Sequence, residues 1–234
     1  MKLLLISNST MAGEPYLDYP KFQIKQFLGQ NPLNIIFIPY AAVTFSYDEY
    51  VEKVNSRFAE IGHKVIGIHT FDDKAKAIRD ADAIVVGGGN TFHLVKLIQE
   101  NKLMEPIQNK VINGTPFVGW SAGSNVACPT IRTTNDMPIV QPESFNVFGF
   151  IKFQINPHYL DANPDGHAGE TREQRLEEFL EANPDIYVAG LREGCMFWIE
   201  NNSIRLIGKK SCRIFKKGIS PFELNTGDDF NFLL

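Results

Sequence analysis

Cysteine is scarce: Cys128, Cys195 and Cys212 are the only three in 234 residues. An odd, widely spaced set offers neither a disulfide framework nor a paired zinc motif, and it fits a reducing cytoplasm. Long apolar runs are missing too. No stretch approaches the roughly eighteen apolar residues that a membrane helix needs. The first apolar run, Leu3 to Ile6, is too short for a signal-peptide core and stops at Ser7-Asn8-Ser9-Thr10. Basic charge is not in excess: 23 Lys and Arg face 27 Asp and Glu, a net charge of −4, and no Lys/Arg run exceeds a pair. Phosphate backbones are gripped by concentrated positive surface, so neither nucleic acid nor membrane is expected as a partner, and the substrate should be small.

What is present is ordinary globular composition, 44% hydrophobic and 21% charged, in a chain long enough to bury a core without staples. No linker or repeat interrupts it, so one domain over 1–234 is expected, as compatible with a monomer as with a homo-oligomer. Short apolar runs, Leu3 to Ile6, Asn34 to Pro39, Lys64 to Ile68, Ala83 to Val86 and Thr115 to Trp120, read as strands. Between them Val51, Val54, Phe58 and Ile61 share one helical face, and Leu94, Leu97 and Ile98 share another. Strands that are apolar throughout, joined by amphipathic helices, describe an α/β fold with a doubly wound, mostly parallel sheet covered on both faces. Ligands bind such sheets at the carboxyl ends of the strands. A charged helix from about Thr171 to Ala182 follows. Runs at Ile186 to Leu191, Cys195 to Ile199, Ile204 to Gly208 and Cys212 to Phe215 then read as added C-terminal strands, some extending the sheet with antiparallel partners.

Gly119-Trp120-Ser121-Ala122-Gly123 lies between a strand and a stretch able to begin a helix. Small flanking residues permit the sharp turn that exposes a serine hydroxyl, which makes Ser121 the leading nucleophile, although a helix N-cap would show the same residue. Gly87-Gly88-Gly89-Asn90 closes the preceding strand and opens the next helix. Glycines there allow close approach of backbone N–H groups at the positive end of a helix, which suits an oxyanion hole. The expected donors are the N–H of Gly88 or Gly89 with that of Ala122. A nucleotide-phosphate loop is the weaker reading, because Phe92 holds the place of the third glycine and no G-K-[ST] follows.

Of the five histidines, His63, His69, His93, His158 and His167, His158 is the preferred base, since a loop after Gln154-Ile155-Asn156-Pro157 could carry it over the strand ends. His167 is its main rival. The orienting acid is either Asp136 or Glu193, and the other is free to bind a substrate amine. Asp161 to Gly166 imitates the opening of a calcium loop, but Arg172 stands where a bidentate Glu is needed. A zinc site built on His158 and His167 lacks the H-E-x-x-H pattern. Neither a metal nor a cofactor is therefore expected.

Gly87 to Phe92, Gly119 to Gly123, Cys128 to Val140 and Asn156-Pro157-His158 stand in order, with Leu4 to Thr10 and Gly169 to Arg175 extending the pattern. On these motifs the chain resembles the peptidase E family of α-aspartyl dipeptidases over nearly its whole length. The resemblance implies a serine mechanism on Asp-Xaa dipeptides and a fold like that of class I glutamine amidotransferases, shared with cyanophycinases. It also implies Ser121 as nucleophile, His158 as base, and Asp136 and Glu193 as acids connected with the charge relay, with Asp136 narrowly preferred. Selecting an N-terminal aspartate requires a cation. Arg172 is the first candidate and Arg132 the second, while Arg172 also fits the solvated face of a charged helix. The alternatives are a cyanophycinase-like hydrolase of aspartate-arginine peptides and a non-catalytic small-ligand-binding module.

Overall fold

A computed structural model describes residues 1–163, 166 and 168–234. In chain order the elements are β1 (Lys2–Ile6), α1 (Lys21–Leu28), β2 (Ile35–Ile38), α2 (Tyr47–Phe58), β3 (Val65–Gly67), α3 (Lys74–Asp80) and β4 (Ala83–Val86). Then come α4 (Thr91–Glu100), α5 (Met104–Ile112), β5 (Phe117–Trp120), α6 (Ala122–Asn125), β6 (Gln154–Pro157), α7 (Arg172–Ala182) and β7 (Val188–Leu191). The chain finishes with β8 (Met196–Glu200), β9 (Ser203–Ile207), β10 (Cys212–Lys216) and β11 (Ile219–Leu224).

Seven strands form the larger sheet in the order β3-β2-β4-β5-β1-β8-β9. Its first five are mutually parallel, and β8 and β9 add antiparallel partners beyond β1. The period of two sends alternate side chains to opposite cores. Leu3, Leu5, Ile36, Ile38, Ile84 and Val86 pack with α3, α4 and α5, whereas Leu4, Ile6, Ile35, Phe37, Val85 and Val118 pack with α1 and α2. Crossovers that run one way along the sheet carry their helices on one face, and those that return carry them on the other, as right-handed connections require. This is the doubly wound arrangement expected from the continuous apolar strands.

Four strands form a second sheet in the order β11-β10-β7-β6, with β6 and β7 parallel and the rest antiparallel. One of its faces joins the main core through Ile155, Ala189, Leu191 and Ile214. The other packs Val188 and Phe215 against Leu176 and Leu180 of α7, side chains whose burial stabilises by about 1.5–3 kcal/mol each. Of the C-terminal runs, Cys195 to Ile199 and Ile204 to Gly208 extend the first sheet as expected. Ile186 to Leu191 and Cys212 to Phe215 instead build this second one. No helix among the described residues is long and apolar enough to cross a membrane.

Candidate active site

Ser121 follows β5 directly and holds φ 54° and ψ −115°, a conformation that non-glycine residues rarely adopt. Tight packing holds the turn. A Cβ on Gly119 would lie 2.3 Å from Gly123 O, and one on Gly123 would lie 2.1 Å from Val86 O, so the two outer glycines of the motif are there because nothing larger fits. Ser121 N donates to Ile6 O (3.0 Å), and the single hydroxyl proton of buried Ser124 is shared between Ile6 O (2.7 Å) and Gly119 O (2.9 Å). Ser124 was not singled out in the sequence. Its signal is a serine one helical turn past Ser121, where the backbone carbonyls of the turn need donors.

His158 follows β6 and also has a left-handed φ of 54°. Its Nε2 lies 3.0 Å from Ser121 Oγ and its Nδ1 lies 2.7 Å from Glu193 Oε1. A carboxylate only accepts, so Nδ1 carries the proton, leaving Nε2 free to accept from the serine hydroxyl. The His158 and Glu193 side chains are 38% and 41% exposed, so a small molecule can reach this row of groups. Glu193 sits just past β7, and its turn is completed by Gly194 at φ 86°. Ser7 Oγ accepts from His158 N (3.0 Å) and donates to Leu191 O (2.8 Å).

The narrow preference for Asp136 as orienting acid is corrected by these contacts. Asp136 Oδ2 accepts from Thr91 N (2.7 Å), Thr91 Oγ1 (2.5 Å) and Thr134 Oγ1 (3.1 Å), at the N-terminus of α4. A carboxylate is well placed there, against free N–H groups and the positive helix end. Asn90 secures the same junction, accepting from His93 N (3.0 Å) and donating to Met137 O (2.9 Å).

Gly88 and Gly89 lie between β4 and α4. The amides on either side of them are committed, Gly87 to Ile38 O (3.2 Å) and Asn90 to Ala41 O (2.9 Å), whereas Gly88 and Gly89 donate to no backbone acceptor among the described residues. A Cβ on Gly88 would lie 3.0 Å from Ser121 Cβ, which puts this loop against the serine. Ala122 begins α6, where first-turn amides have no intrahelical acceptor. Tyr50, unremarked in the sequence, donates its hydroxyl to Gly88 O (2.8 Å) and receives Trp120 Nε1 (3.3 Å) and Tyr16 OH (3.1 Å). Burial raises the Tyr50 pKa to about 12, so it remains a neutral donor.

Arg172 opens α7 and reaches Asn135 Oδ1 with Nη1. Asn135 in turn donates to Pro157 O (2.7 Å), the carbonyl preceding His158. Arg172 and Arg132 line one small cleft of about 170 Å³ with Asn135, Asp136, Asn156 and Arg175. Burial, then the charge of Arg175, lowers the Arg172 pKa from its ordinary value, with Asp136 opposing. Among the described residues Arg172 has no ion-pair partner, so the cleft favours an anion. Arg132 is exposed, with its guanidinium 5.9 Å from the Phe145 ring centre.

Three other histidines serve the scaffold: His63 bonds Gly29 O, His69 bonds Asp48, and His93 Nδ1 bonds Tyr40 O. His167, the rival base, lies outside the described residues, as does Asp165 of the calcium-like loop. Asp161 from that loop pairs with Arg192.

A hydroxyl, an imidazole and a carboxylate in one hydrogen-bonded row, beside uncommitted backbone amides, can carry out nucleophilic acyl transfer. Comparison with known proteins agrees with this chemistry. The model of peptidase family S51 matches residues 3–207. Peptidase E from Nostoc sp. is 55% identical over 233 residues, covering 100% of this chain and 96% of that protein. Peptidase E from Shigella flexneri is 44% identical over 230 residues, covering 98% and 100%. A crystal structure of a peptidase from an acI-B1 Actinobacterium shares the fold, with a TM-score of 0.71 at 17% identity over 98% of this chain and 96% of that one.

Proposed function

The chain belongs to peptidase family S51 and is a serine peptidase, and from that premise we propose that it hydrolyses Asp-Xaa dipeptides through an acyl-enzyme on Ser121. The observation that carries the reading is the unbroken row Ser121 Oγ, His158 and Glu193, at 3.0 Å and 2.7 Å. Ser121 Oγ attacks the peptide carbonyl as its proton passes to His158 Nε2. Glu193 holds the Nδ1 proton and stabilises the imidazolium without taking that proton. The N–H groups of Gly88 or Gly89 and of Ala122 receive the oxyanion. Each such donor is worth about 10² to 10³ in turnover. His158 then gives its proton to the leaving amine as the C–N bond breaks, and water, deprotonated by His158, releases aspartate from the serine ester.

Arg172 binds the side-chain carboxylate of the substrate aspartate. Support for this is its position in a cleft where three arginines face the single carboxylate of Asp136 and Arg172 itself makes no ion pair among the described residues, and which is tied through Asn135 to the residue before His158. Asp136, whose Oδ2 is engaged while Oδ1 has no partner among the described residues, receives the substrate amine. Arg132, exposed at the rim, contributes longer-range attraction. All 234 residues act as one catalytic unit, and three unpaired, buried cysteines suit a reducing cytoplasm.

The test is hydrolysis of Asp-Leu against Ala-Leu, Glu-Leu and a simple ester, with Ser121→Ala as control. Cleavage of Asp-Leu alone, lost in the folded variant, is expected. Appreciable turnover by Ser121→Ala would refute the nucleophile, and cleavage of Ala-Leu at the rate of Asp-Leu would refute the specificity.

A further inference from the structure

The apolar run of β1 ends in two polar residues that are nevertheless enclosed: Ser7 is 0% exposed and Asn8 1%. Buried polar groups are costly unless their hydrogen bonds are made, so the partners of these two show what the burial achieves. Ile6 O accepts from Ser121 N (3.0 Å), Ser7 Oγ accepts from His158 N (3.0 Å), and Asn8 Oδ1 accepts from Gly194 N (2.9 Å). Three consecutive residues thus hold the three segments that carry the nucleophile, the base and the acid.

We infer that Ser7 and Asn8 are positioning residues for this reaction, Ser7 acting through the backbone of His158 and Asn8 through the turn that carries Glu193. The inference rests on the reading of Ser121, His158 and Glu193 given above. His158 comes from β6 and Glu193 follows β7, both in the second sheet, whereas Ser121 follows β5 in the first. The two sheets must therefore keep register at the site. Ser7 bridges them with both functions of its hydroxyl, accepting from His158 N and donating to Leu191 O (2.8 Å). His158 is held at φ 54°, a conformation unfavourable for a residue with a side chain, which persists only where its surroundings fix it. Asn8 is oriented in turn: its Nδ2 donates to Thr10 O (2.8 Å), and the Tyr19 hydroxyl proton is shared between Asn8 O (2.7 Å) and its Oδ1 (2.8 Å). Gly194, whose amide it receives, adopts φ 86° and aims the preceding Glu193.

The experiment measures kcat per active site for Asp-Leu, with sites counted by a serine-directed phosphonate and folding checked by urea unfolding. Ser7→Ala and Asn8→Ala should each lose about 10-fold to 100-fold in kcat per site, the scale of a misplacement near 1 Å, with KM nearly unchanged. Tyr19→Phe, which leaves Asn8 and its bond to Gly194 in place, should show a smaller loss of the same kind. It serves as the second variant should the buried substitutions fail to fold. In a Glu193→Gln background the Asn8→Ala loss should shrink to about 2-fold, because residues acting as one unit are non-additive. A loss that keeps its full size in that background, or a fall only in the number of titratable sites, overturns the inference. Ser121→Ala is assayed in parallel. Turnover retained there removes the relay itself, whereas multiplying losses with an inactive Ser121→Ala remove only the positioning role.

Discussion

Two carboxylates, Asp136 and Glu193, meet the chemical requirement for the acid that orients His158, and their hydrogen bonds separate their roles. Glu193 faces Nδ1, while Asp136 is occupied at the start of α4. Glu193→Gln should therefore lower kcat steeply, approaching about 10⁴, whereas Asp136→Asn should act mainly on KM. Steady-state kinetics on Asp-Leu read both, and equal kcat losses would contradict the assignment. For substrate choice, Arg172→Ala should lower the Asp-Leu to Ala-Leu ratio of kcat/KM by about 10-fold to 100-fold, because Arg172 is half-buried and a charge-assisted hydrogen bond to a carboxylate is worth about 1.5–3 kcal/mol. An unchanged ratio would transfer the role elsewhere. Ser121 and His158 were legible as residues because strand context and small neighbours are local signals. The choice between the acids was not, since chain position says nothing about which carboxylate faces one ring nitrogen after folding.

At the scale of elements, α7 matters because its first residue is Arg172. Thr171 caps this helix, accepting from Gln174 N (3.2 Å) while Gln174 Oε1 accepts from Thr171 N (2.8 Å). Thr171→Ala should cost about 1 kcal/mol in urea unfolding and raise KM for Asp-Leu with kcat retained. A fall in kcat at constant KM would show that the cap serves something other than Arg172. The helix itself was read to within a residue of its ends, because a capping box and apolar positions such as Leu176 and Leu180 are written locally. β11 went unread for an equally local reason. Pro221 sits within it, and proline demotes a run to an edge or to no strand at all. β11 is indeed the edge of its sheet. α6 is one turn long, too short to show a periodicity.

Across the whole molecule, the second sheet is held by a charge network with Arg192 at its centre. The guanidinium meets Asp161, Glu223 (2.8 Å) and Ser211 O (2.8 Å), and Arg213 links Glu223 (3.2 Å) to Glu173 of α7 (3.0 Å). Arg192, by hydrogen bonding, lowers the Glu223 pKa to about 2, against an ordinary value of about 4.3. A depressed carboxylate stabilises the fold above the ordinary value, and that contribution is lost as pH falls from about 4.3 towards about 2. Urea midpoints should drop across this window in the wild type and change less in Glu223→Gln; parallel curves would mean that the pair contributes nothing. The sequence by itself determined the strands of the main sheet, its two faces, the elbow at Ser121 and the glycine loop beside it, because each depends on side-chain periodicity or on steric demands within a few residues. Only the tertiary structure decided that β6, β7, β10 and β11 leave the first sheet for a second, that Glu193 and not Asp136 meets His158, and that the end of β1 joins the segments of Ser121, His158 and Glu193. Those outcomes depend on pairing between residues as far apart as Asn8 and Gly194, which hydrogen bonding in the packed core selects and local pattern does not encode.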